Sequence, residues 1–544
     1  MTPTAYVDSF AGDHLPPRTQ WPELRFDLPE LQYPERVNCA SELLDKALAA
    51  GHGERPAIYG RRETWTYVQL QERVNRIAQV LCEDMRLVPG NRVLLRGANS
   101  PMMAACTLAV MKAGLIAVPT MPLLRAKELA VIIDKAQVTA ALCALDLKEE
   151  MALASAQSTV LGQVAYFTAD AADSLESLMA AKSGDFEAVD TSAEDICIIA
   201  FTSGTTGIPK GTMHFHRDVL AICDCFPRSM LQSRADDIFV GTPPLAFTFG
   251  LGGLLLFPLR VGAATVLFEK LNPESLLQAV QDFRATICFT APTMYRQMAP
   301  LAARFDLSSL RETVSAGETL PLATRASWRG ATGLNMIDGI GATELLHIFI
   351  SAARDEIRAG ATGKPIPGYQ ACVLDKHGKP VGPGVVGRLA VKGPTGCRYL
   401  ADERQKQYVY DGWNLTGDAY EMDADGFFWY RARTDDMIIS AGYNIAGPEV
   451  EDALLKHAAV AECGVVGCMD EERGQIVKAF VVLKPGFSAG TARVKELQEF
   501  VKQAIAPYKY PRAIEFLTAL PRTETGKLQR FKLRNLAAGR SNAP

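Results

Sequence analysis

Apolar residues at Leu70, Val74, Ile77, Ala78 and Leu81 recur with a helical period, and residues 92–95 that follow read as a short strand. A second helical run and an extended stretch at 116–119 complete a strand–helix–strand unit, which implies a parallel sheet. The alternation returns further on, with IFVG at 238, a helical run over 250–259, TVLF at 265, a helix over 274–283 and ICFT at 287. Two α/β subdomains are expected. Near Gly363 the texture changes to short alternating runs, CVLD and GRLAVKG, separated from each other by the turn signal KHGK, so a small antiparallel β region follows. Past RTDDMII the pattern predicts a helix over 448–456, strands over 461–467 and 478–483, and a helix over 494–504. A tail of about a hundred residues with these elements is large enough to fold alone.

At 544 residues the chain exceeds one hydrophobic core. Its 48% hydrophobic and 22% charged residues and net charge of −4 provide no basic excess to attract nucleic acid or anionic lipid, so small molecules are the expected partners. The twelve cysteines include no C-x-x-C pair, which points to reduced thiols in a cytosol. Asp8, Asp13 and Pro16-Pro17 interrupt the place where a signal peptide needs an apolar run. The longest apolar stretches, 104–119 and 250–268, are broken by Lys112 and by Pro258-Leu259-Arg260, and neither is expected to span a bilayer.

Chemistry enters with FTSGTTGIPKGT, residues 201–212. The common phosphate cradle places its lysine directly after a glycine and opens a helix there. Here Lys210 stands three residues past Gly207, between two extended runs, DICIIA and GTMHFH. The segment is therefore a loop between strands. Glycine lets its backbone point several N–H groups at one anion, while Thr202, Ser203, Thr205 and Thr206 add hydroxyls around the Lys210 charge, a combination suited to polyphosphate. Three more clusters fall where a strand is expected to end in a loop. DGIGATE ends in Glu344, a lone carboxylate of the kind Mg²⁺ takes beside substrate phosphates. WNLTGD presents Asp418, able to accept from two ribose hydroxyls. PRTETGKLQR places Lys527 on an exposed turn. His214 and His216, H-x-H on an extended run, share one face there, but no third metal ligand stands near them and a structural role is expected.

In this order and at these separations the clusters resemble the signature series of the adenylate-forming superfamily: acyl- and aryl-CoA ligases, adenylation domains of peptide synthetases, and luciferases. The resemblance covers essentially the whole chain. It implies that Thr202, Ser203, Gly204, Thr205, Thr206, Gly207 and Lys210 hold the ATP phosphates, with Thr202 also catalytic. It places Gly317 and Glu318 of SAGE and Thr343 against the nucleotide, Asp338 facing the adenine amino group, Glu344 on magnesium, and Asp418 and Arg433 on the ribose. Lys527 is then the catalytic lysine, Asp435 the hinge of a rotating C-terminal domain, and Gly442 part of the CoA channel.

DGIGATELLHIFISA is most similar to the benzoate-CoA ligases, with Ile340 where most relatives carry a tyrosine. LAFTFGLGG matches them too, which implies an aryl pocket made by Phe247, Thr248, Phe249, Ala316, Gly317, Gly341 and His347. The leader HLPPRTQWPEL resembles the 2-aminobenzoate branch.

The expected fold is α/β: an N-terminal adenylation domain, residues 1–435, of two α/β subdomains plus a small β subdomain, and a mobile α+β C-terminal domain, residues 436–544. The implied activity is ATP-dependent conversion of an aromatic acid, 2-aminobenzoate or benzoate, to its CoA thioester through an aryl-AMP. ATP, Mg²⁺ and coenzyme A are the implied cofactors, in a cytoplasmic monomer or homodimer. Two rival readings are a ligase that loads a carrier protein's pantetheine and a catalytically silent nucleotide-binding regulator.

Overall fold

The computed structural model describes residues 3–168, 171–202, 209–440, 443–470, 473–505, 507–522 and 528–539. The first predicted helix is Tyr67–Gln79. It starts where Thr66 Oγ1 accepts from the Gln69 N–H at 3.3 Å and the Gln69 side chain accepts from the Thr66 N–H at 3.0 Å, a reciprocal cap. Its periodic residues Leu70, Val74, Ile77 and Ala78 are all buried.

This helix packs against the helix Pro101–Lys112 of what is, among the described residues, a six-stranded α/β unit with strand order Gln163–Phe167, Ala140–Ala144, Arg92–Arg96, Ile116–Thr120, Ile196–Thr202, Lys210–Phe215. All pairings are parallel except the last, an antiparallel hairpin. The helix Pro101–Lys112 is apolar nearly all round because it is buried, and Lys112 is accommodated by donating to Asp45 Oδ1 and Asn75 Oδ1, both at 2.7 Å.

A nine-stranded sheet follows, its centre parallel and its two ends antiparallel. Strands Ile238–Gly241, Ala264–Val266, Ile287–Thr290, Glu312–Ser315 and Met336–Gly341 form the parallel centre, joined at one side by Pro56–Tyr59 from near the chain start. SAGE and DGIGATE thus occupy the carboxyl ends of neighbouring parallel strands, where open α/β sheets bind ligands.

The small β unit is the antiparallel set Gln370–Leu374, Gly387–Lys392, Trp413–Met422 and Phe428–Arg433, edged by Val409–Tyr410. WNLTGD is not a strand end, as expected, but lies inside Trp413–Met422. Asp418 pairs in register with Arg433, and Gly417 at φ +77° absorbs the local kink. The tail holds a three-stranded sheet, Val460–Asp470, Gly474–Leu483 and Ala513–Phe516, with helices Gly447–Leu454, Thr491–Ala504 and Arg530–Ala537. It has its own apolar core, including Val450, Leu454, Val465, Val481, Leu497 and Val501. No helix of the described residues is long and apolar enough to cross a membrane.

Candidate active site

The hairpin Ile196–Thr202/Lys210–Phe215 pairs Thr202 with Lys210, so the loop it carries does join two strands. Ser203, Gly204, Thr205, Thr206 and Gly207 lie outside the described residues, as do Lys527 and Gly442, and so does the side chain of Asp435, whose backbone lies in the short turn Thr434–Asp436. At the hairpin mouth the Thr202 hydroxyl is buried without a partner among the described residues. Lys210 Nζ donates to the Tyr399 hydroxyl at 2.7 Å and lies 3.4 Å from Glu344 Oε1. Tyr399 in turn donates to Glu344 Oε1 at 2.5 Å. Burial beside this carboxylate holds the phenol well above its ordinary pKa, so it stays a donor.

No motif marked Tyr399, because backbone pairing brings it here. Met213 N–H donates to the Arg398 carbonyl and Leu400 N–H to the Gly211 carbonyl, both at 2.8 Å, laying residues 398–400 along the hairpin arm. Beneath, the fully buried Arg398 guanidinium meets the fully buried Asp218 carboxylate and stacks 3.9 Å from the Phe215 ring centroid.

His214 donates Nε2–H to the Thr343 carbonyl at 2.8 Å, a tautomer set by that acceptor, and so ties the hairpin to the turn bearing Glu344. Its burial, reinforced by Arg398, pushes the imidazole down to about 3 and keeps it neutral. His216 does not share its face. The extended run ends at Phe215, where the Asp218 side chain accepts from the Phe215 N–H at 3.0 Å and starts the helix His216–Phe226. Nor is His216 without neighbouring ligands, as the sequence implied. Cys39 and Cys197, distant in the chain, bring their thiols within 4.8 Å of its ring. The His216 Nδ1 lone pair accepts from the Cys39 N–H at 3.1 Å, which keeps the structural reading of this histidine.

Met336–Gly341 carries Asp338 and Ile340, both half-buried, at the carboxyl end of its strand. Burial raises the Asp338 carboxyl to about 7 against the pull of Arg325 and the Gly339 N–H. The turn Thr343–Leu345 then presents Glu344, and Leu346, at φ +68°, reverses the chain into His347. Glycine at 341 serves this hairpin. A Cβ there would fall 2.8 Å from the His347 carbonyl oxygen, so the space it leaves is filled by backbone rather than kept open for a substrate. On the adjacent strand end Ala316 is buried, Gly317 adopts φ +89°, and Glu318 accepts from Thr293 Oγ1 at 2.9 Å.

His347 is enclosed by rings. Phe257 lies 4.5 Å from it edge-on, Phe226 5.4 Å and Phe249 5.8 Å, centroid to centroid. Burial pushes its pKa down to about 3. The Phe249 carbonyl opposes this weakly without hydrogen-bond geometry, and neither ring nitrogen has a partner among the described residues. Phe249 also packs on Phe289 at 5.5 Å. Phe247 caps the helix that Thr248 opens, and Phe247, Thr248 and Phe249 are all half-buried. That helix continues through a π turn, Gly252–Leu256, where glycines admit His347 and Phe289.

On the far side Arg433 donates to the Thr416 carbonyl at 3.0 Å and to Asp418 Oδ1 at 3.1 Å. It lies so close over Gly417 that a Cβ there would meet Nη2 at 2.6 Å. Burial raises the Asp418 pKa, and Arg433 offsets part of the rise.

Residues 46–399 match the family of AMP-binding enzymes, and residues 449–527 match the C-terminal domain of AMP-binding enzymes. The chain belongs to the adenylate-forming superfamily. It is of the benzoate–CoA ligase type, among AMP-forming acid–thiol ligases. It is 35% identical over 513 residues to benzoate–CoA ligase of Thauera aromatica, covering 93% of this chain and 97% of that one. Among solved structures, the anthranilate CoA ligase AuaEII in complex with anthranoyl-AMP aligns with a TM-score of 0.88 at 34% identity, covering 94% of this adenylate-forming chain and 99% of AuaEII. A benzoate CoA ligase from Burkholderia xenovorans LB400 aligns with a TM-score of 0.83 at 30% identity, over 92% of this chain and all of the other.

Proposed function

We propose that this enzyme activates an aromatic carboxylic acid, 2-aminobenzoate or benzoate, as its acyl adenylate and passes the acyl group to coenzyme A, releasing AMP and pyrophosphate. One observation carries the reading. A single turn places Glu344, with the cationic Lys210 beside it, three residues from His347 and its cage of aromatic rings. Polyphosphate chemistry and a flat apolar ring would thereby lie side by side, which agrees with relatives named for benzoate and for anthranilate.

A carboxylate is a poor acyl donor because oxide is a poor leaving group; exchange of that oxygen for AMP supplies a good one. The acid's oxygen attacks the α-phosphorus and pyrophosphate departs, then the CoA thiol displaces AMP at the carbonyl carbon. The chain's part is positioning and charge neutralisation. Lys210 and the loop N–H groups take the phosphates, Asp418 and Arg433 the ribose, Asp338, Ile340, Gly317, Glu318 and Thr343 the base and its surroundings, and Lys527 the attacking anion and the α-phosphate.

Glu344 and Thr202 fit a magnesium ion. Glu344 Oε1 is engaged by Tyr399 and Lys210 while Oε2 has no partner among the described residues, and the Thr202 hydroxyl is buried unpaired. Two hard oxygens are what Mg²⁺ uses when phosphates supply others. Bound there, the ion would neutralise phosphate charge during the transfer.

For the ring, the Thr248 carbonyl accepts from the Gly252 N–H, while its hydroxyl has no partner among the described residues and is available to accept from an ortho amino group. Asp435 and Gly442 serve the rotation of residues 436–544 that exchanges Lys527 for the pantetheine thiol. The test is AMP release from a panel of aromatic and aliphatic acids, with free CoA and a pantetheinylated carrier protein offered separately. Absence of acid-dependent ATP–pyrophosphate exchange across the whole panel would overturn the proposal.

A further inference from the structure

We infer that Tyr399 is a positioning residue that sets which oxygen of Glu344 faces a divalent cation and keeps Lys210 from closing on that carboxylate. This rests on the reading of Glu344 as the metal-binding carboxylate. The phenol has one proton and lone pairs to spend. The proton goes to Glu344 Oε1 at 2.5 Å, and a lone pair accepts from Lys210 Nζ at 2.7 Å. With Oε1 held in this way, the carboxylate is rotationally fixed and Oε2 is presented without a partner among the described residues.

The hydroxyl itself is over-determined. The Tyr399 side chain is 1% exposed, its ring packs edge-on against Tyr408 at 5.8 Å, and its N–H donates to Gln405 Oε1 at 2.9 Å. The flanking residues are pinned to the hairpin through the Arg398 carbonyl and the Leu400 N–H. Lys210 Nζ lies over the Tyr399 and Tyr408 rings, 4.8 and 5.8 Å from their centroids, which gives the ammonium a resting place beside the carboxylate. It stands only 3.4 Å from Glu344 Oε1. Without the phenol oxygen, which holds Nζ at 2.7 Å, nothing keeps this 3.4 Å ion pair from shortening, and the tighter pair competes with the metal for Glu344.

Groups that orient a metal's ligands typically contribute about 10- to 100-fold in metal affinity. Tyr399→Phe removes only the oxygen. Mn²⁺ binding in the presence of α,β-methylene-ATP, followed by the electron paramagnetic resonance of free Mn²⁺, is expected to weaken by about that factor. The Mg²⁺ concentration giving half-maximal AMP release should rise equally, while kcat at saturating Mg²⁺ is largely restored. A merely structural tyrosine would lower kcat at every Mg²⁺ concentration and leave the Mn²⁺ midpoint alone, and that result overturns the inference. Glu344→Gln run alongside separates the two layers. If it weakens Mn²⁺ binding and Tyr399→Phe does not, the role of Tyr399 is refuted and the metal reading stands. If neither changes Mn²⁺ binding, both fall.

Discussion

Gly252→Ala is expected to injure the ring pocket while sparing the nucleotide site. A Cβ at 252 would stand 2.5 Å from His347 Cδ2, 2.9 Å from Nε2 and 3.0 Å from Phe257 Cζ. Ordinary carbon contacts begin near ~3.5 Å, so the imidazole must move by roughly 1 Å. Its directions of retreat are unequal. Phe226 and Phe257 are fully buried and the His347 backbone is held against Gly341, whereas Phe249 is only half-buried. The ring therefore yields toward Phe249 and narrows the slot proposed for the aryl group.

Overpacking of this kind costs about 1–3 kcal/mol of stability. A displacement of about 1 Å at a reacting pair is worth on the order of 10² in rate. We expect kcat/KM for benzoate or 2-aminobenzoate to fall by roughly 10- to 100-fold. KM for ATP should hold, since Lys210, Asp418 and Arg433 touch none of the displaced groups. Initial rates of AMP release with each substrate varied in turn give both constants, and ATP binding by calorimetry verifies that the variant is folded. Parallel loss in the acid and ATP constants, or wild-type kcat/KM for the acid, would show that His347 does not bound the acid's site.

Thr248→Ala should reduce the preference for 2-aminobenzoate over benzoate in competition assays, and an unchanged ratio would remove Thr248 from selectivity. Lys527→Ala should lose adenylate formation by on the order of 10² to 10³ while retaining thioester formation from supplied acyl-AMP; equal loss of both steps would refute its separate role. Asp338, raised from 3.8 to about 7, favours the folded state most when protonated, so its contribution is full below pH 3.8 and is lost as the pH rises through 7. Denaturation at pH 5 and pH 8 should therefore show Asp338→Asn gaining on the wild type at the higher pH, and a constant difference would contradict the shift. Arg398→Met strands the buried Asp218 carboxylate and should lower unfolding stability by about 3–5 kcal/mol, readable from urea midpoints.

The parts legible in the sequence are those whose logic is local. The helix Tyr67–Gln79 follows from its own period, the hairpin around Lys210 from two extended runs bracketing a glycine-rich loop, and the passage from strand to turn at DGIGATE from its glycine-rich letters. Where a local rule competed with tertiary structure it failed. WNLTGD looked like a loop because glycine usually ends a strand, yet Gly417 keeps the strand going by making room for Arg433. H-x-H looked like one face because the alternation carries no sign of the Asp218 cap that starts a helix at His216.

What lay beyond reading is the support for the motifs. Tyr399 stands in an irregular stretch with no period, and two backbone hydrogen bonds that almost any residue could make carry it to Glu344, 55 positions away. Arg398 meets Asp218 across 180 positions and Cys39 meets His216 across 177. A side chain that meets substrate through a loop of fixed spacing leaves a pattern in neighbouring letters. One that only steadies another leaves a single letter, and its meaning rests on which distant strand lies beside it. On this argument the positions that tune the ligase are to be sought along the interface between the hairpin Ile196–Thr202/Lys210–Phe215 and residues 398–400, where Tyr399 meets Lys210 and Glu344 while the adjacent Arg398 meets the buried Asp218.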